Sequence, residues 1–420
     1  MAATVLPYEL YSDSPGFLLN KPEWEAANSA HAQDTDFGDV PQGWPKKLSG
    51  PLVWSGEDLR AQPEKWVHVL NDSEISEIVN ATKHFKSLSI PLSELARNHF
   101  PLPSLGQVLR NISHNIYHGT GINLLRGIPV EKYEKDELVI VCLGLNSWVG
   151  DQRLPQGIRR GLCHIKSIAH IERTKRGAIY VSAQNAAAQM YHSDAGADVV
   201  SLMAVSVPEN SQGGESKIAS AWRVYNHLAE HRPDILRLLG ERRFRWRANG
   251  IPAEGVRLLH WFQDRLMLNF STRTFIGFAE VPERDKSFEE LTFEEREAFA
   301  GFNWVAEQYS VTTKLEKGDI EWVNNVALQH ARTGYVDDPE HPRHLLRVWL
   351  RDSEHAVELP GDIRNKFDAM FGEPADFIPL DELVEDEARR NTGVFTASCK
   401  DETARQRLEQ KTDEHGNLGV

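Results

Sequence analysis

The sequence predicts an α+β protein, mainly β at its centre: a barrel or sandwich of short strands under a helical cover. Three observations carry this reading. In the N-terminal part, apolar residues recur at helical spacing, as in Ile75, Ile78, Val79 and Phe85. From Gly177 the texture changes to short β-like runs separated by turn residues: Ala178–Ser182, Tyr191–Val207, Ser216–Ser220, Leu266–Phe270, Asp319–His330 and Arg343–Arg351. No internal repeat relates these runs, which sets repeat architectures aside. A chain of 420 residues, 40% of them hydrophobic, has ample material for a large buried core.

Taken in order, residues 1–50 are rich in Pro, Gly, Asp and Asn and read as an extended N-terminal arm. The range 51–380 reads as a single domain whose first part, 51–176, is helical. Its first long helix spans Asp72–Leu88 behind an Asn-Asp-Ser start that suits an N-cap. Further helices are expected over Leu105–Tyr117 and 134–149, with a strand at Gly121–Arg126 closed by Gly127 and Pro129. Two helices interrupt the β-rich part. Ser220–Leu239 carries Pro233, which marks a break or a new start. Thr292–Tyr309 opens with Thr292 and Glu295 at capping-box spacing. Residues 381–420 are strongly charged and read as a tail, part helical and part disordered.

Composition narrows the function. A net charge of -14 argues against a nucleic-acid partner, which wants clustered Lys and Arg. Cys142, Cys163 and Cys399 form no Cys-x-x-Cys pair, so neither a zinc–thiolate site nor a disulfide framework is expected, and a reducing compartment fits. The N-terminus lacks a basic segment followed by an apolar one, and no apolar run approaches the roughly 18 residues of a membrane span. The expectation is a soluble cytoplasmic protein with a small-molecule partner and no membrane contact, with homo-oligomerisation left open.

The chemistry centres on Tyr191-His192-Ser193-Asp194. In an extended strand, residues i and i+2 leave the same face, so His192 and Asp194 can reach one metal ion. His330, in Gln329-His330-Ala331 at the end of another strand-like run, is the best third ligand. Two histidines and a carboxylate on one face of an ion form the triad of non-heme Fe(II) oxygenases. A lone His-x-Asp is common by chance, and a satisfied surface or core pair is the bland alternative. Its company raises it. Gln212-Gly213-Gly214-Glu215-Ser216 allows close backbone approach and places the Ser216 hydroxyl at a strand start, although an ordinary hairpin turn reads the same way. In Arg343–Arg351, period two puts Leu346, Val348 and Leu350 on one face and Arg343, Arg347 and Arg351 on the other. Such a face is either a solvated edge or an interior set of carboxylate-binding guanidiniums. Charge favours the second, because an unpaired distal carboxylate of a bound 2-oxoglutarate would be costly to bury. Gln184, Asn185 and Gln189, just upstream, either contact a substrate or satisfy their own loop.

The ordered set Tyr-His-Ser-Asp (191–194), Gly-Gly-Glu-Ser (213–216), Val-Asn-Asn-Val-Ala-Leu-Gln-His (323–330) and Arg-His-Leu-Leu-Arg-Val-Trp-Leu-Arg (343–351) resembles the taurine dioxygenase-like (TauD/TfdA) branch of the Fe(II)/2-oxoglutarate dioxygenases. Its clavaminate-synthase-like fungal members, enzymes of secondary metabolism, are the nearest in pattern. The resemblance runs from about Gly43 to Asp352 and includes Trp44–Trp54 and Leu124–Pro129. It implies a double-stranded β-helix, jelly-roll-like, with His192, Asp194 and His330 binding iron. It further implies that Arg343, helped by Ser216, pairs with the far carboxylate of 2-oxoglutarate. Arg347 would hold an anionic substrate group or play a structural part. The activity implied is oxidation of a C–H bond (hydroxylation, desaturation or cyclisation) of a small amino acid, carboxylate or secondary-metabolite intermediate, using O2 and releasing succinate and CO2. Two alternatives stand beside it: a non-catalytic binding protein on the same fold, and a Zn-dependent hydrolase with the same three ligands.

Overall fold

The computed structural model describes residues 19–34, 36–156, 159–176, 182–194, 196–207, 212–245, 254–272, 275, 289–336, 338, 340, 342–371 and 374–392. Thirteen strands fall among them, numbered here in chain order: β1 Val67–Val69, β2 Ile122–Arg126, β3 Gln152–Leu154, β4 Cys163–Lys166, β5 Gln189–His192, β6 Val199–Ser206, β7 Ser216–Ser220, β8 Leu259–Phe262, β9 Arg265–Leu268, β10 Val311–Thr313, β11 Ile320–Asn324, β12 Leu328–Arg332 and β13 His344–Arg351. A major sheet runs β1-β2-β11-β6-β13-β3, with β4 also on β13, and a minor sheet runs β10-β7-β12-β5. Apart from the parallel β1–β2 pair, their ladders are antiparallel. The two sheets face each other as in a double-stranded β-helix, and among the described residues their ladders do not close into a barrel.

Side-chain alternation decides what each face does. On β11, Ile320 and Trp322 join a core shared with the helices Asp72–Leu88, Leu105–His118 and Lys135–Val149, which cover the outer face of the major sheet. Val323, on the opposite face, packs inward in one cluster with Ile218 and Leu345. On β13, Leu346, Val348 and Leu350 lie in the outer core, which leaves Arg347 and Trp349 to the interior. The helices Ala221–His231, Pro233–Glu241 and Phe293–Tyr309 pack beside the minor sheet. No helix among the described residues is long and apolar enough to cross a membrane.

Most expected elements appear within a residue or two, and their caps explain why. The Asp72–Leu88 helix has Asn71 and Glu74 in a reciprocal capping box, and Thr292 with Glu295 does the same for Phe293–Tyr309. Pro233 occupies the first turn of a new helix, where its missing N–H costs nothing. Four expectations are corrected. Lys21–Asp34 is a helix rather than extended arm, anchored by the buried Trp24. Tyr191–Val207 is not one strand: β5 ends at His192 in the minor sheet and β6 begins at Val199 in the major sheet. Asp319–His330 likewise divides at a turn into β11 and β12, one in each sheet. His330 therefore sits inside β12 rather than at a strand end. The β8–β9 hairpin turns through Gln263 and Asp264, both at positive φ (47° and 57°), and only its second strand stood out in the sequence. The run expected at Ala178–Ser182 falls largely outside the described residues, as do residues 1–18 and 393–420.

The start of the charged C-terminal segment is a helix, Glu382–Thr392, docked on the outside of β4. Its Glu385 accepts from the Arg160 guanidinium (2.5 Å) and the His164 backbone N–H (2.6 Å), and Glu382 pairs with Lys166 (2.5 Å). His164 and His344 share an N···N hydrogen bond of 2.8 Å beside it. Burial, and then the neighbouring His164, push His344 down from 6.5 to about 3. A histidine held neutral in the fold stabilises it fully above its unfolded value, and that contribution is lost as pH falls from about 6.5 toward about 3. The melting temperature should thus drop between about pH 8 and about pH 5, and His344→Gln should shallow that drop. Equal slopes for both proteins would remove His344 as the cause.

Candidate metal and cosubstrate site

Three of the predicted side chains meet at the mouth between the sheets. β5 and β12 are antiparallel neighbours with His192 directly opposite His330, which brings the rings to 4.2 Å between centroids. Asp194 Oδ1 lies 3.6 Å from His192 Nε2 and 3.8 Å from His330 Nε2. The candidate ligand atoms all fall within 4.8 Å of one another, a span one ion can bridge. His192 Nδ1 donates to the Met190 carbonyl at 2.7 Å, which leaves its Nε2 lone pair for a metal.

Asp194 reaches this position from the loop after β5, so the pleat of a single strand does not place it. Its backbone N–H donates to Asn325 Oδ1 (2.7 Å), and Asn325 Nδ2 donates back to the carbonyls of Asp194 and Ala197, both at 2.8 Å. One amide side chain on the β11–β12 turn thereby clamps the loop that crosses between the sheets. The outer carboxylate oxygen, Oδ2, accepts from Trp349 Nε1 (2.8 Å) and from the Arg347 guanidinium (3.0 Å), which aims Oδ1 at the histidines. Burial works against the charge on this carboxyl. The Arg347 guanidinium and then the His192 contact outweigh it and hold the group well below the usual carboxylate range. Trp349→Phe keeps an aromatic ring but removes this donor. It should weaken metal binding by about 10–100-fold with the fold retained, read by Co(II) titration against circular dichroism.

Arg343 enters from the start of β13 and is 5% exposed. It donates to the Gly214 carbonyl at 3.2 Å, whereas its second terminal nitrogen is buried without a partner among the described residues. Burial and then the nearby Arg332 pull it down to about 10. A guanidinium so placed fits an incoming carboxylate. The diglycine is required here. Gly213 and Gly214 have φ of 80° and 74°, and a Cβ on Gly213 would lie 1.9 Å from the Gly334 carbonyl oxygen. A Cβ on Gly214 would press on the Arg343 side chain at 3.2 Å.

The remaining predicted residues divide. Ser216 sits near Arg343, but its hydroxyl donates to Glu321 Oε1 at 2.7 Å. Glu321 is fully buried, also accepts from Thr313 (2.9 Å), and is pushed upward by burial against those two hydroxyls. Arg347 spends two nitrogens inside the protein, on Asp194 and on Gln156 Oε1 (2.7 Å), so it supports the triad directly. The Asn185 carboxamide oxygen accepts from the Ala187 N–H at 3.0 Å, a loop satisfying its own backbone. Gln184 is 2% exposed and its Oε1 has no partner among the described residues. Gln189 is half-buried at the start of β5, opposite Arg332.

Sequence reasoning missed several contributors. Glu321 and Asn325 lie inside the run Asp319–His330, but the contacts that tie them to Ser216 and Asp194 span more than a hundred positions. Arg332 lies two residues past His330 and donates to the carbonyls of Asn185 (3.0 Å) and Ala187 (2.5 Å). The Tyr335 ring stands beside both the Arg332 and Arg343 guanidiniums, at 5.0 and 5.6 Å. The spacing of His330 to Arg332 along a strand was the available signal.

A double-stranded β-helix holding two histidines and one carboxylate, with an open side and a buried guanidinium nearby, defines a non-heme Fe(II) oxygenase fold and site. Comparison agrees. The profile of the family described as "Taurine catabolism dioxygenase TauD, TfdA family" matches residues 88–349, and the chain belongs to that family. It is therefore an oxidoreductase, a dioxygenase that uses Fe(II), 2-oxoglutarate and O2. "Taurine hydroxylase-like protein SAT17" of Stachybotrys chartarum is 30% identical over 337 residues, 77% of this chain and 85% of that protein. "FR-33289 synthase" of Streptomyces rubellomurinus is 26% identical over 332 residues, 75% of this chain and 93% of that one. Among solved structures, asparagine oxygenase in complex with Fe(II), 2S,3S-3-hydroxyasparagine and succinate superposes with a TM-score of 0.52. It is 16% identical, covering 68% of this chain and 93% of that chain, a likeness of fold.

Proposed function

We propose that this dioxygenase oxidises a C–H bond of a small amino acid or secondary-metabolite intermediate, with His192, Asp194 and His330 holding Fe(II) and Arg343 holding the far carboxylate of 2-oxoglutarate. The observation that carries the assignment is the convergence of three ligand atoms within 4.8 Å, with a buried Arg343 nitrogen lacking a partner among the described residues. Iron and 2-oxoglutarate, when bound, supply O2 activation and release succinate and CO2. The chain's own part is positional. Met190 fixes the His192 tautomer, Trp349 and Arg347 orient Asp194, and Asn325 sets the loop that carries it. Ser216 acts on the cosubstrate pocket through Glu321 rather than by a direct bond.

The names of the relatives guide the substrate class. One similar structure carries a hydroxylated asparagine, and two relatives are named as a taurine hydroxylase-like protein and a synthase. With two of its nitrogens engaged internally, Arg347 offers an anionic substrate group only its remaining edge. Gln184 is the better candidate for a neutral polar contact, since its buried Oε1 accepts from no donor among the described residues. The test is an aerobic screen of amino acids, small carboxylates and sulfonates for succinate formation coupled to a product heavier by one oxygen or lighter by two hydrogens. Iron-dependent consumption of 2-oxoglutarate with one member supports the reading. Its absence across all three classes counts against this substrate range.

A further inference from the structure

The pocket around Arg343 already contains a carboxyl group. Glu321 lies on β11 between Ile320 and Trp322, which turn to the outer core, so its own side chain faces between the sheets. It is fully buried. Leu124 and Leu202 stand opposite it on the two neighbouring strands. From the minor sheet, Ser216 donates to Oε1 at 2.7 Å and Thr313 donates to Oε2 at 2.9 Å. Two oxygens that both accept are the bonding of the ionised acid. Among the described residues, the charges that act on it are Asp319 and Arg343. Asp319 is tied to Arg126 at 2.8 Å. Arg332, the other cation beside Arg343, turns to the carbonyls of Asn185 and Ala187.

A carboxylate arriving at Arg343 therefore meets one already in place. Two carboxylates in one buried site do not both stay ionised, and one of them takes a proton. Burial already pushes Glu321 upward. The hydroxyls around it leave a place for that proton. Thr313 Oγ1 has a second acceptor, the Ser216 carbonyl at 3.5 Å. With its hydrogen turned there, the Thr313 oxygen can accept from a protonated Oε2, while the Ser216 hydroxyl keeps its bond to Oε1.

We propose that, with Arg343 holding the far carboxylate as above, Glu321 is a positioning residue that couples 2-oxoglutarate binding to the uptake of one proton. Ionised in the empty pocket, Glu321 becomes a neutral acid in the occupied one. The proton comes from solvent, and the only bond formed is O–H on Oε2. Linkage sets the sign. Affinity falls as pH rises between the values of the free and the occupied group, by at most about tenfold per pH unit for one proton.

The test is calorimetric titration of 2-oxoglutarate into full-length protein loaded with Mn(II), between about pH 6 and about pH 9, in buffers of different ionisation enthalpy. Water on Mn(II) stays protonated over this range, so its displacement takes up no proton. The parent should bind at least about half a proton per 2-oxoglutarate at its maximum, with Kd rising with pH. Glu321→Gln should take up at least about half a proton less and bind at least about fivefold more tightly near pH 9. Thr313→Val removes a donor to the anion, and it decides the matter if Glu321→Gln does not fold. It should move the uptake maximum to higher pH. Equal uptake in parent and Glu321→Gln, a parent Kd flat across the range, or an unmoved maximum in Thr313→Val overturns the coupling alone. Failure of 2-oxoglutarate to bind the parent, or equal binding to Arg343→Gln, instead removes Arg343 as the carboxylate holder and the coupling with it.

Discussion

Replacing His192 by alanine should abolish iron-dependent 2-oxoglutarate decarboxylation. Removal of an outer-shell partner costs about 10–100-fold in metal affinity or activity. Deleting a ligand itself should exceed the upper end of that range, since only Asp194 and His330 would remain. The variant should stay folded. The ring is buried in the mouth between the sheets, outside the hydrophobic cores, and its Nδ1 donates to the Met190 carbonyl. The loss should extend to binding: Co(II) titration should show no visible d–d band in the tetrahedral or five-coordinate range. A variant that decarboxylates 2-oxoglutarate at the parent rate would take His192 out of the metal site. A variant that still binds cobalt but turns nothing over would instead assign the residue to a later step. His330→Ala should behave alike, because the cross-strand register of β5 and β12 places both imidazoles at one point.

Legibility followed sequence separation. His192-x-Asp194 could be read because its two members are neighbours, and Arg343 and Arg347 because a strand's period of two is local. The same locality misled about Asp194. Two residues apart suggested one strand face, yet the chain leaves β5 at His192, and the carboxylate is set by Asn325 from the far side of the site. The polar alternation of Asp319–His330 hid a change of sheet. A turn of three residues between two buried strands has no Pro or Gly to mark it, and Asn324 and Asn325 were its only sign. The helix Lys21–Asp34 was missed for a different reason. It presents one large buried apolar residue, Trp24, and no amphipathic stripe, so its stability comes from docking on the Phe293–Tyr309 helix rather than from its own pattern. Ser216 was read as an anion donor because nothing nearby in sequence announces Glu321 as its acceptor.

Arg343→Gln should separate cosubstrate binding from stability. Hydrogen bonds to charged groups contribute about 1.5–3 kcal/mol each, and a fork makes two. Their loss corresponds to a rise of roughly 10²–10⁴-fold in KM for 2-oxoglutarate at about 1.4 kcal/mol per tenfold. Stability should respond in the opposite sense. In the unliganded protein this guanidinium is 5% exposed, has one terminal nitrogen without a partner among the described residues, and is drawn down to about 10 by burial and by Arg332. An unpaired buried cation opposes folding, so a neutral residue of similar length should melt at or above the parent temperature. Adding 2-oxoglutarate with a metal should then raise the melting temperature of the parent protein and leave that of the variant nearly unmoved. A guanidinium serving only to brace Gly214 gives another pattern: a lower melting temperature and an unchanged KM. The two measurements together therefore distinguish a residue kept under strain for its ligand from one kept for the fold.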